Sequence, residues 1–224
     1  MTTGATPGRS QRFPGFDVLT RAGSWDPITT GIVLARVGSP PRLQFFTPGE
    51  EAAARALLIR LLAQDDEPRI PVFELIDARL AEGEIDGWRY DDMPEDGDAW
   101  RQTLRAMDDD AAARAPGHCF ATLDRQAQIE LIEAVRTAER WHDLPAGRVW
   151  SLWMRYACAA FYSHPWAWNE IGFGGPAYPT GYKNLGIDGR EGWEVPERDA
   201  FDPEPWSHRV EAARRRHAGN PEAP

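Results

Sequence analysis

The sequence predicts an all-α protein in which about five helices pack around a central apolar helix at about residues 145–163. In five separate windows, apolar residues recur at the three- and four-residue spacing of one helix face. Residues typical of helix starts open these windows, and no alternation typical of a β-strand runs for more than a few residues. Long irregular arms are expected at both ends of the chain.

The first two helices are predicted from their boundaries. Thr47 is followed by a proline and, three residues further on, by Glu50, which is the pattern of a capping box with proline at the first helical position. This helix is expected to continue to about Gln64. A second helix is expected over 71–82, where Gly83 ends it, because glycine adopts the left-handed conformation that follows many helices.

The third and fourth helices are predicted over 95–114 and from Thr122 or Asp124 to about Arg140. Acidic residues cluster in the first turn of the third helix, where the helix dipole favours negative charge. The residues expected to face inward on these two helices are Trp100, Leu104, Met107, Ile129, Ile132 and Val135.

The fifth helix is predicted to begin at Pro145 and to end at about Ser163, because the residue before a proline, here His164, disfavours the helical conformation. One face carries Val149, Trp153, Ala157, Ala160 and Phe161, and Trp150, Met154 and Cys158 widen the apolar surface. A helix that is apolar around most of its circumference contacts neighbours on several sides. We therefore expect this helix to be the central one.

Three regions are expected along the chain. Residues 1–44 are rich in glycine, proline, serine, threonine and arginine, and they are predicted to form an extended arm that packs on the body or on a partner. Within this arm, Asp26-Pro27 is interpreted as a turn. The helical body is expected over 45–186. Residues 187–224 are predicted to form an irregular tail with a short basic amphipathic helix at 207–217.

The composition excludes several partners. The net charge of −10 and the pI of about 5.0 argue against nucleic acid or an anionic membrane as the main partner. No apolar run is long enough to span a membrane. The first residues carry no twin-arginine motif, so the expected location is the cytoplasm, or the periplasm or membrane through association with a partner.

Candidate chemical groups are few, and no catalytic, cofactor-binding or metal-binding residue is predicted. A single Glu-x-x-His pair is present, Glu139 and His142, whereas a helical di-metal site needs two such pairs, so we interpret this one as an exposed helix end. Residues 108–110 are three aspartates, interpreted as a solvated face because consecutive helical residues point about 100° apart. Cys119 and Cys158 are interpreted as buried thiols, and a disulfide between them is left open.

The stretch after the central helix is crowded with aromatic residues, glycine and proline, but it has no periodicity. Aromatic side chains anchor interfaces, and glycines between them let a facing surface approach the backbone. His164 is expected to complement the negative end of the helix rather than to act in catalysis. The residues predicted to contact a partner are His164, Pro165, Trp166, Trp168, Ile171, Gly172, Phe173, Gly174, Gly175, Pro176, Tyr178, Pro179 and Tyr182. A second interpretation, that these aromatics fold back on helices of their own chain, is left open.

Two stretches have an order of residues that helix periodicity does not require. One is Phe45-Phe46-Thr47-Pro48-Gly49-Glu50 together with residues 72–82. The other begins with Ala-Phe-Tyr-Ser-His-Pro at 160–165 and continues through Trp-Asn-Glu-Ile-Gly-Phe-Gly-Gly-Pro at 168–176 to Tyr182. In these stretches, and over 120–133, the chain resembles the gluconate 2-dehydrogenase subunit 3 family. The resemblance covers about residues 45–186.

The resemblance implies a non-catalytic accessory subunit of bacterial type, which assembles with and stabilises a large FAD-dependent dehydrogenase of sugars, polyols or alcohols. It implies that FAD and the chemistry belong to this large subunit, of the glucose-methanol-choline type, so no cofactor is expected in this chain. A cytochrome c subunit is a further partner of such complexes. The alternative is a stand-alone helical enzyme or small-molecule-binding protein with a pocket near His164, Trp168 and Tyr178.

Overall fold

The computed structural model describes residues 13–84, 86–184, 186 and 189–195. Within these residues the helices are α1 (Pro27–Val37), α2 (Pro48–Leu61), α3 (Val72–Ala81), α4 (Asp96–Arg114), α5 (Arg125–Thr137), α6 (Ala146–Ser163) and α7 (Pro165–Ile171). Two 3-10 helices cover Val18–Ser24 and Phe120–Thr122, and the strands β1 (Arg140–Trp141) and β2 (Leu144–Pro145) form an antiparallel hairpin. The predicted all-α class is confirmed. The basic helix predicted at 207–217 lies outside the described residues.

Helix α6 is the centre of the molecule, as predicted, because α2, α3, α4, α5 and α7 all pack against it. Its buried side chains include Val149, Leu152, Trp153, Tyr156, Ala157 and Phe161. Of the residues predicted to widen this face, Trp150 packs against the core as a half-buried side chain, whereas Met154 and Cys158 are half-buried and do not belong to that cluster. On another side of α6, Tyr156 is buried because α4 packs against it. The ring centroids of Trp100 on α4 and Tyr156 are 5.9 Å apart, with the two rings edge-on.

Two of the predicted helix starts in the body, those of α2 and α5, are confirmed at the level of single hydrogen bonds. The Thr47 amide donates to the Glu50 carboxylate at 2.9 Å, and the Glu50 amide donates to the Thr47 hydroxyl at 3.4 Å, which completes the capping box of α2. The Asp124 carboxylate caps α5 by accepting from the Ala127 amide at 2.8 Å. Gly83 has a φ of +67°, as expected of the residue that follows α3.

Helix α5 ends at Thr137, before the predicted Arg140, because the next residues form the hairpin. His142 lies in the two-residue turn of the hairpin with a φ of +47°, so the prediction that it lies at a helix end was wrong. Its ring is 3.0 Å from the carboxylate of Asp110. The same carboxylate accepts a hydrogen bond from the Trp141 indole at 2.7 Å.

The aspartates at 108–110 are also not a simple solvated face. Asp108 accepts a hydrogen bond from the Phe120 amide at 2.9 Å, and Asp110 holds the hairpin, while the residue between them is exposed. Because consecutive residues on a helix diverge, the two carboxylates reach two different loops. Cys119 and Cys158 are half-buried free thiols, so the disulfide left open by the sequence is absent.

The prediction of an extended N-terminal arm was wrong for residues 18–37, which form a 3-10 helix and α1. Asp26 caps α1 through bonds from the Ile28 and Thr29 amides, so the dipeptide Asp26-Pro27 starts a helix rather than a turn. Only Val33 is buried on α1. Its other apolar side chains, Ile28, Ile32 and Leu34, are exposed, so α1 does not show the polar outer face that usually marks an amphipathic helix in a sequence. In the described part of the chain, no helix is both long and apolar enough to cross a membrane.

Candidate partner-binding face

The predicted contact segment begins with a helix rather than with an irregular chain. Helix α6 ends at Ser163, and α7 begins two residues later at Pro165. The residue between the two helices, His164, caps α7 by accepting a hydrogen bond from the Trp166 amide at 3.2 Å. Gly172 closes α7 in the left-handed conformation with a φ of +70°. Two turns of helix are too short to produce a visible period, which explains why the sequence did not reveal α7.

His164 is buried at the junction of α6, α7 and α1. Only 2% of the residue is exposed, its ring meets the Trp166 ring edge-on at 5.0 Å, and it makes a hydrogen bond with the backbone of Arg36. Burial lowers the pKa of His164 to about 4, against the opposing effect of that hydrogen bond. The imidazole is therefore neutral near pH 7, and the expected charge complement to the α6 terminus was wrong.

This buried histidine makes the stability of the fold depend on pH. In the unfolded chain, His164 takes up a proton as the pH falls through its ordinary pKa of 6.5, whereas the folded chain does so only at about 4. The unfolded state thus binds more protons between these values, and the free energy of unfolding decreases as the pH falls through this window.

We expect acidification from about pH 7.5 to about pH 5 to cost the wild type about 2 kcal/mol more than it costs His164→Gln. Glutamine keeps hydrogen-bonding capacity but does not titrate, so it serves as the control for the other groups that titrate in this range. Urea unfolding at both pH values measures the difference. An equal loss in the two proteins would show that His164 titrates no differently after folding.

The Trp168 side chain belongs to a second, smaller core that the arm completes. Trp168 is 5% exposed and is clustered with Val18, Trp25 and Val33, all buried. Its indole N–H donates to the backbone carbonyl of Tyr162 at 2.6 Å, so the polar edge of the ring also has a partner within the chain. Of the two interpretations left open by the sequence, folding back on the chain itself is the one that holds for Trp168.

Polar contacts fix the arm on the same segment. The Asn169 side chain accepts a hydrogen bond from the Val18 amide at 2.8 Å and donates to the Asp17 carboxylate at 3.3 Å. At the other end of the arm, the Arg36 guanidinium donates to the Ser163 carbonyl at 2.9 Å. These partners are separated by more than a hundred positions in the sequence, so no local signal could have identified them.

The glycines of the segment admit aromatic rings of the chain itself. A Cβ atom at Gly172 would lie 2.7 Å from the Phe13 ring, one at Gly174 would lie 2.7 Å from the Trp193 ring, and one at Gly175 would lie 2.7 Å from the Trp25 ring. Arg21 donates to the Gly174 carbonyl and stacks on Trp193, with its guanidinium carbon 3.8 Å from the ring centroid. The close approach predicted at these glycines is present, and in this structure the approaching surface is the chain's own.

We expect Gly175→Ala to destabilise the protein by about 2–3 kcal/mol, because the new methyl group meets two buried side chains, Trp25 and Val18, at a backbone φ of +78°. Gly181→Ala is the matched control. Its φ is +68°, but no atom lies within 4 Å of the new Cβ, so only the conformational cost of about 1 kcal/mol applies. Thermal unfolding of the two variants measures the difference, and equal losses would contradict tight packing at Gly175.

The predicted contact residues divide into three groups. The buried ones are His164, Pro165, Trp168, Gly174 and Gly175, the half-buried ones are Trp166, Gly172 and Pro176, and the exposed ones are Ile171, Phe173, Tyr178, Pro179 and Tyr182. Four further exposed apolar side chains were not predicted from the sequence. Three of them, Ile28, Ile32 and Leu34, lie on α1, which packs against α7, and the fourth, Tyr162, lies near the end of α6. Ile28 and Tyr178 are the most exposed, at 75% and 68%.

These exposed residues lie on a part of the chain that has almost no charge. Residues 156–182 contain one charged residue, Glu170, and residues 27–35 contain none, whereas 27% of the whole chain is charged. Ile28 and Ile32 lie one turn apart on α1, which packs against α7, whereas Leu34 lies on another side of that helix. We call Ile28, Ile32 and the exposed apolar residues of the end of α6, of α7 and of the following loop the α1–α7 face. Exposed apolar side chains on segments with few charged residues are typical of surfaces that another protein covers.

The described residues contain no group of three or more histidine, cysteine, aspartate or glutamate side chains that could hold a metal ion. The alternative function requires a pocket near His164, Trp168 and Tyr178. Two of these three residues are buried in the protein, since His164 and Trp168 are only 2% and 5% exposed. Their polar atoms are bound by the backbone of the chain itself. The geometry of this region is that of a packed surface with apolar side chains on its outside.

Comparison with known families decides the relationship. The sequence model described as gluconate 2-dehydrogenase subunit 3 matches residues 48–175. The chain belongs to this family. The matched range is more than half of the chain and extends from the start of α2 to the third glycine of the segment. No curated protein and no solved structure matches the chain.

Membership of the gluconate 2-dehydrogenase subunit 3 family implies a dehydrogenase partner, because the family is named as a subunit of that enzyme. The match does not include the arm. Residues of the arm nevertheless contact the last residues of the matched range. These contacts join Phe13, Val18, Trp25 and Val33 to α7 and to the glycines that follow it.

Proposed function

We propose that this chain is a non-catalytic accessory subunit that assembles with and stabilises a large FAD-dependent dehydrogenase of sugars, polyols or alcohols. In this proposal the FAD and the reacting groups belong to the large subunit, of the glucose-methanol-choline type, and a cytochrome c subunit is a further member of the complex. The location of the chain follows that of the complex, in the cytoplasm or, through the partner, in the periplasm or at the membrane. Family membership supports the dehydrogenase as the partner.

The α1–α7 face carries the proposal that this partner is bound directly. Ile28 and Ile32 lie one turn apart on α1 and are 75% and 53% exposed, and Tyr178 is 68% exposed. Leaving such side chains in water costs about 25 cal/mol for each Å² of apolar surface that a partner could cover. Interface centres are depleted of charged residues and enriched in aromatic ones, which matches the composition of this face.

The choice of residues to mutate follows from burial. Trp168 is part of the chain's own core, so its replacement would disturb folding and binding together. Ile28, Ile32 and Tyr178 expose more than half of their surfaces, and their replacement should leave the fold intact. We therefore choose the triple variant Ile28→Ser, Ile32→Ser and Tyr178→Ala.

The test is affinity capture of the tagged chain from its native host, with an absorbance scan for flavin and identification of the captured chains. We expect the wild type to capture a flavin-containing dehydrogenase, and the triple variant to capture at least about tenfold less, because a few central residues dominate most interfaces. Circular dichroism and the melting temperature should be the same for both proteins.

Trp88→Ala is the matched control, because Trp88 is an aromatic residue with a similar exposure of 52% that lies outside the α1–α7 face. It should capture as much flavoprotein as the wild type. Purification of the wild-type chain without any flavoprotein would contradict the accessory function. If the triple variant captured as much flavoprotein as the wild type, the proposed complex would stand, but the α1–α7 face would be excluded as its contact surface.

A further inference from the structure

A cleft of about 580 Å³ lies away from the α1–α7 face, between the end of α3, the start of α4 and the middle of α6. Its lining includes Phe45, Leu80, Glu84, Trp88, Asp98 and Tyr156. The volume is in the range of sites that enclose a small organic molecule. Neither the family match nor the proposed assembly with a dehydrogenase assigns a role to this cleft.

The aromatic rings around the cleft already attract cations of the chain itself. The Arg155 guanidinium carbon lies 5.6 Å from the Trp88 ring centroid and 5.1 Å from that of Tyr156. Outside the cleft, the Tyr90 ring meets Trp88 edge-on, and the Arg148 guanidinium carbon lies 3.4 Å from the Tyr90 ring centroid. Rings of this kind bind guanidinium and ammonium groups through the negative charge of their faces. Trp88 remains 52% exposed, so part of its surface is open to a further group.

The charged groups in the wall of the cleft are partly compensated. Arg155 binds the Asp96 carboxylate at 3.0 Å and also pairs with Asp86, and the Tyr156 hydroxyl donates to Asp96 at 2.7 Å. These contacts connect α4, α6 and the loop before α4.

The carboxylates of Glu84 and Asp98 are not compensated in this way. Both line the cleft, and neither has an ion-pair partner among the described residues, while Glu95 is only loosely paired with Arg89 at 3.4 Å. Among the residues that line the cleft, the carboxylates are those of Glu84, Glu95, Asp96 and Asp98, and the guanidinium group is that of Arg89. The excess of negative charge in a concave site beside exposed aromatic surface favours a cation.

We propose that this cleft binds a small organic cation, an ammonium or guanidinium group on a short aliphatic stem. The charged group lies between the carboxylates of Glu84 and Asp98, and the stem lies against the Trp88 ring and the apolar side chains of Phe45 and Leu80. The aromatic and apolar lining distinguishes such a ligand from a hydrated metal ion, and the unpaired carboxylates distinguish it from a neutral molecule of the same shape.

The decisive comparison uses two probes of nearly the same shape, n-butylguanidinium and the neutral n-butylurea, titrated into the purified full-length chain by isothermal calorimetry. We expect n-butylguanidinium to bind at least about tenfold more tightly than n-butylurea, since charge-assisted hydrogen bonds are about twice as strong as neutral ones. A capped pentapeptide with a central arginine distinguishes the two sources of the cation. Tighter binding of the peptide assigns the site to an arginine side chain, and weaker binding assigns it to a free amine or guanidine.

The double variant Glu84→Gln and Asp98→Asn should reduce the affinity for n-butylguanidinium by at least about tenfold. The matched control, Glu82→Gln and Asp91→Asn, changes the net charge by the same amount at two exposed residues that do not line the cleft. Three results would overturn the proposal: equal affinity for the two probes, an equal loss in the control variant, or a failure of both n-butylguanidinium and the arginine peptide to bind. We expect these variants to capture as much flavoprotein as the wild type, because the cleft lies outside the α1–α7 face, so a failure here is distinguishable from a failure of the proposed assembly.

Discussion

Replacement of Trp153 by alanine should lower the free energy of unfolding by about 3–5 kcal/mol. Trp153 lies in the middle of α6 and has no exposed surface, and its ring meets Trp141 edge-on at 5.7 Å. Its indole N–H donates to the hydroxyl of Thr103 at 3.1 Å, a hydrogen bond between two buried groups on neighbouring helices. Alanine removes the ring and leaves a cavity where α4, α6 and the hairpin meet, because close-packed surroundings relax only in part.

Trp153→Phe separates the contributions of the ring and the hydrogen bond. Phenylalanine retains most of the apolar contact but has no N–H group, and the Thr103 hydroxyl still donates to the Trp100 carbonyl at 3.0 Å. We expect a loss of about 1–2 kcal/mol for this variant. Urea unfolding followed by circular dichroism measures both proteins. A loss below about 1 kcal/mol for Trp153→Ala would be inconsistent with a fully buried ring.

The second large effect is expected at Asp77, a carboxylate on α3 with no exposed surface. It accepts hydrogen bonds from three consecutive backbone amides, those of Gln44, Phe45 and Phe46, at 2.6, 3.1 and 2.9 Å. These bonds fix the chain just before α2. We expect Asp77→Ala to cost about 3–5 kcal/mol, because three backbone amides, including those of the half-buried Phe45 and the buried Phe46, lose their acceptor at once.

Two variants test whether the acceptor geometry is the cause. Asp77→Asn retains one carbonyl oxygen and should lose less than Asp77→Ala, at about 1–3 kcal/mol. Glu74→Ala is the control on the same helix. It removes a carboxylate that pairs with the partly exposed Arg55 at 2.8 Å, and such pairs contribute about 1 kcal/mol or less. If Asp77→Ala were no more damaging than Glu74→Ala, the three amides would have to find water or other partners in the folded protein.

Asp77 illustrates a signal that the sequence contains and that periodicity does not explain. It lies on α3 one turn after Phe73 and one turn before Leu80, both of which are buried. An acidic residue inside an apolar stripe needs a buried partner, because an unpaired charge is costly there. The sequence thus indicates that a partner exists, but it does not indicate that the partner is the backbone at 44–46, more than thirty positions earlier.

Helices α2 to α6 were predictable because their signals are local. Caps such as Thr47 and Asp124 act within three residues of themselves, and the stripe that includes Val149, Trp153 and Ala157 repeats with the period of the helix. The central position of α6 also followed from the sequence, since a helix with a wide apolar surface must be covered on several sides. The predicted inward side chains Trp100, Leu104, Met107, Ile132 and Val135 are buried, and Ile129 is half-buried.

From the sequence alone it follows that this protein is helical, where most of its body helices begin and end, and that the segment after α6 packs closely against another surface. Which surface packs there became known from the folded chain. The arm supplies Phe13, Val18 and Trp25 to glycines and a tryptophan about 150 positions away, and these contacts leave the outer side chains Ile28 and Tyr178 exposed. Aromatic residues and glycines favour contact with any complementary surface, whether it comes from the same chain or another. Which surface takes part depends on distances in the folded chain, and these are not encoded in any local pattern.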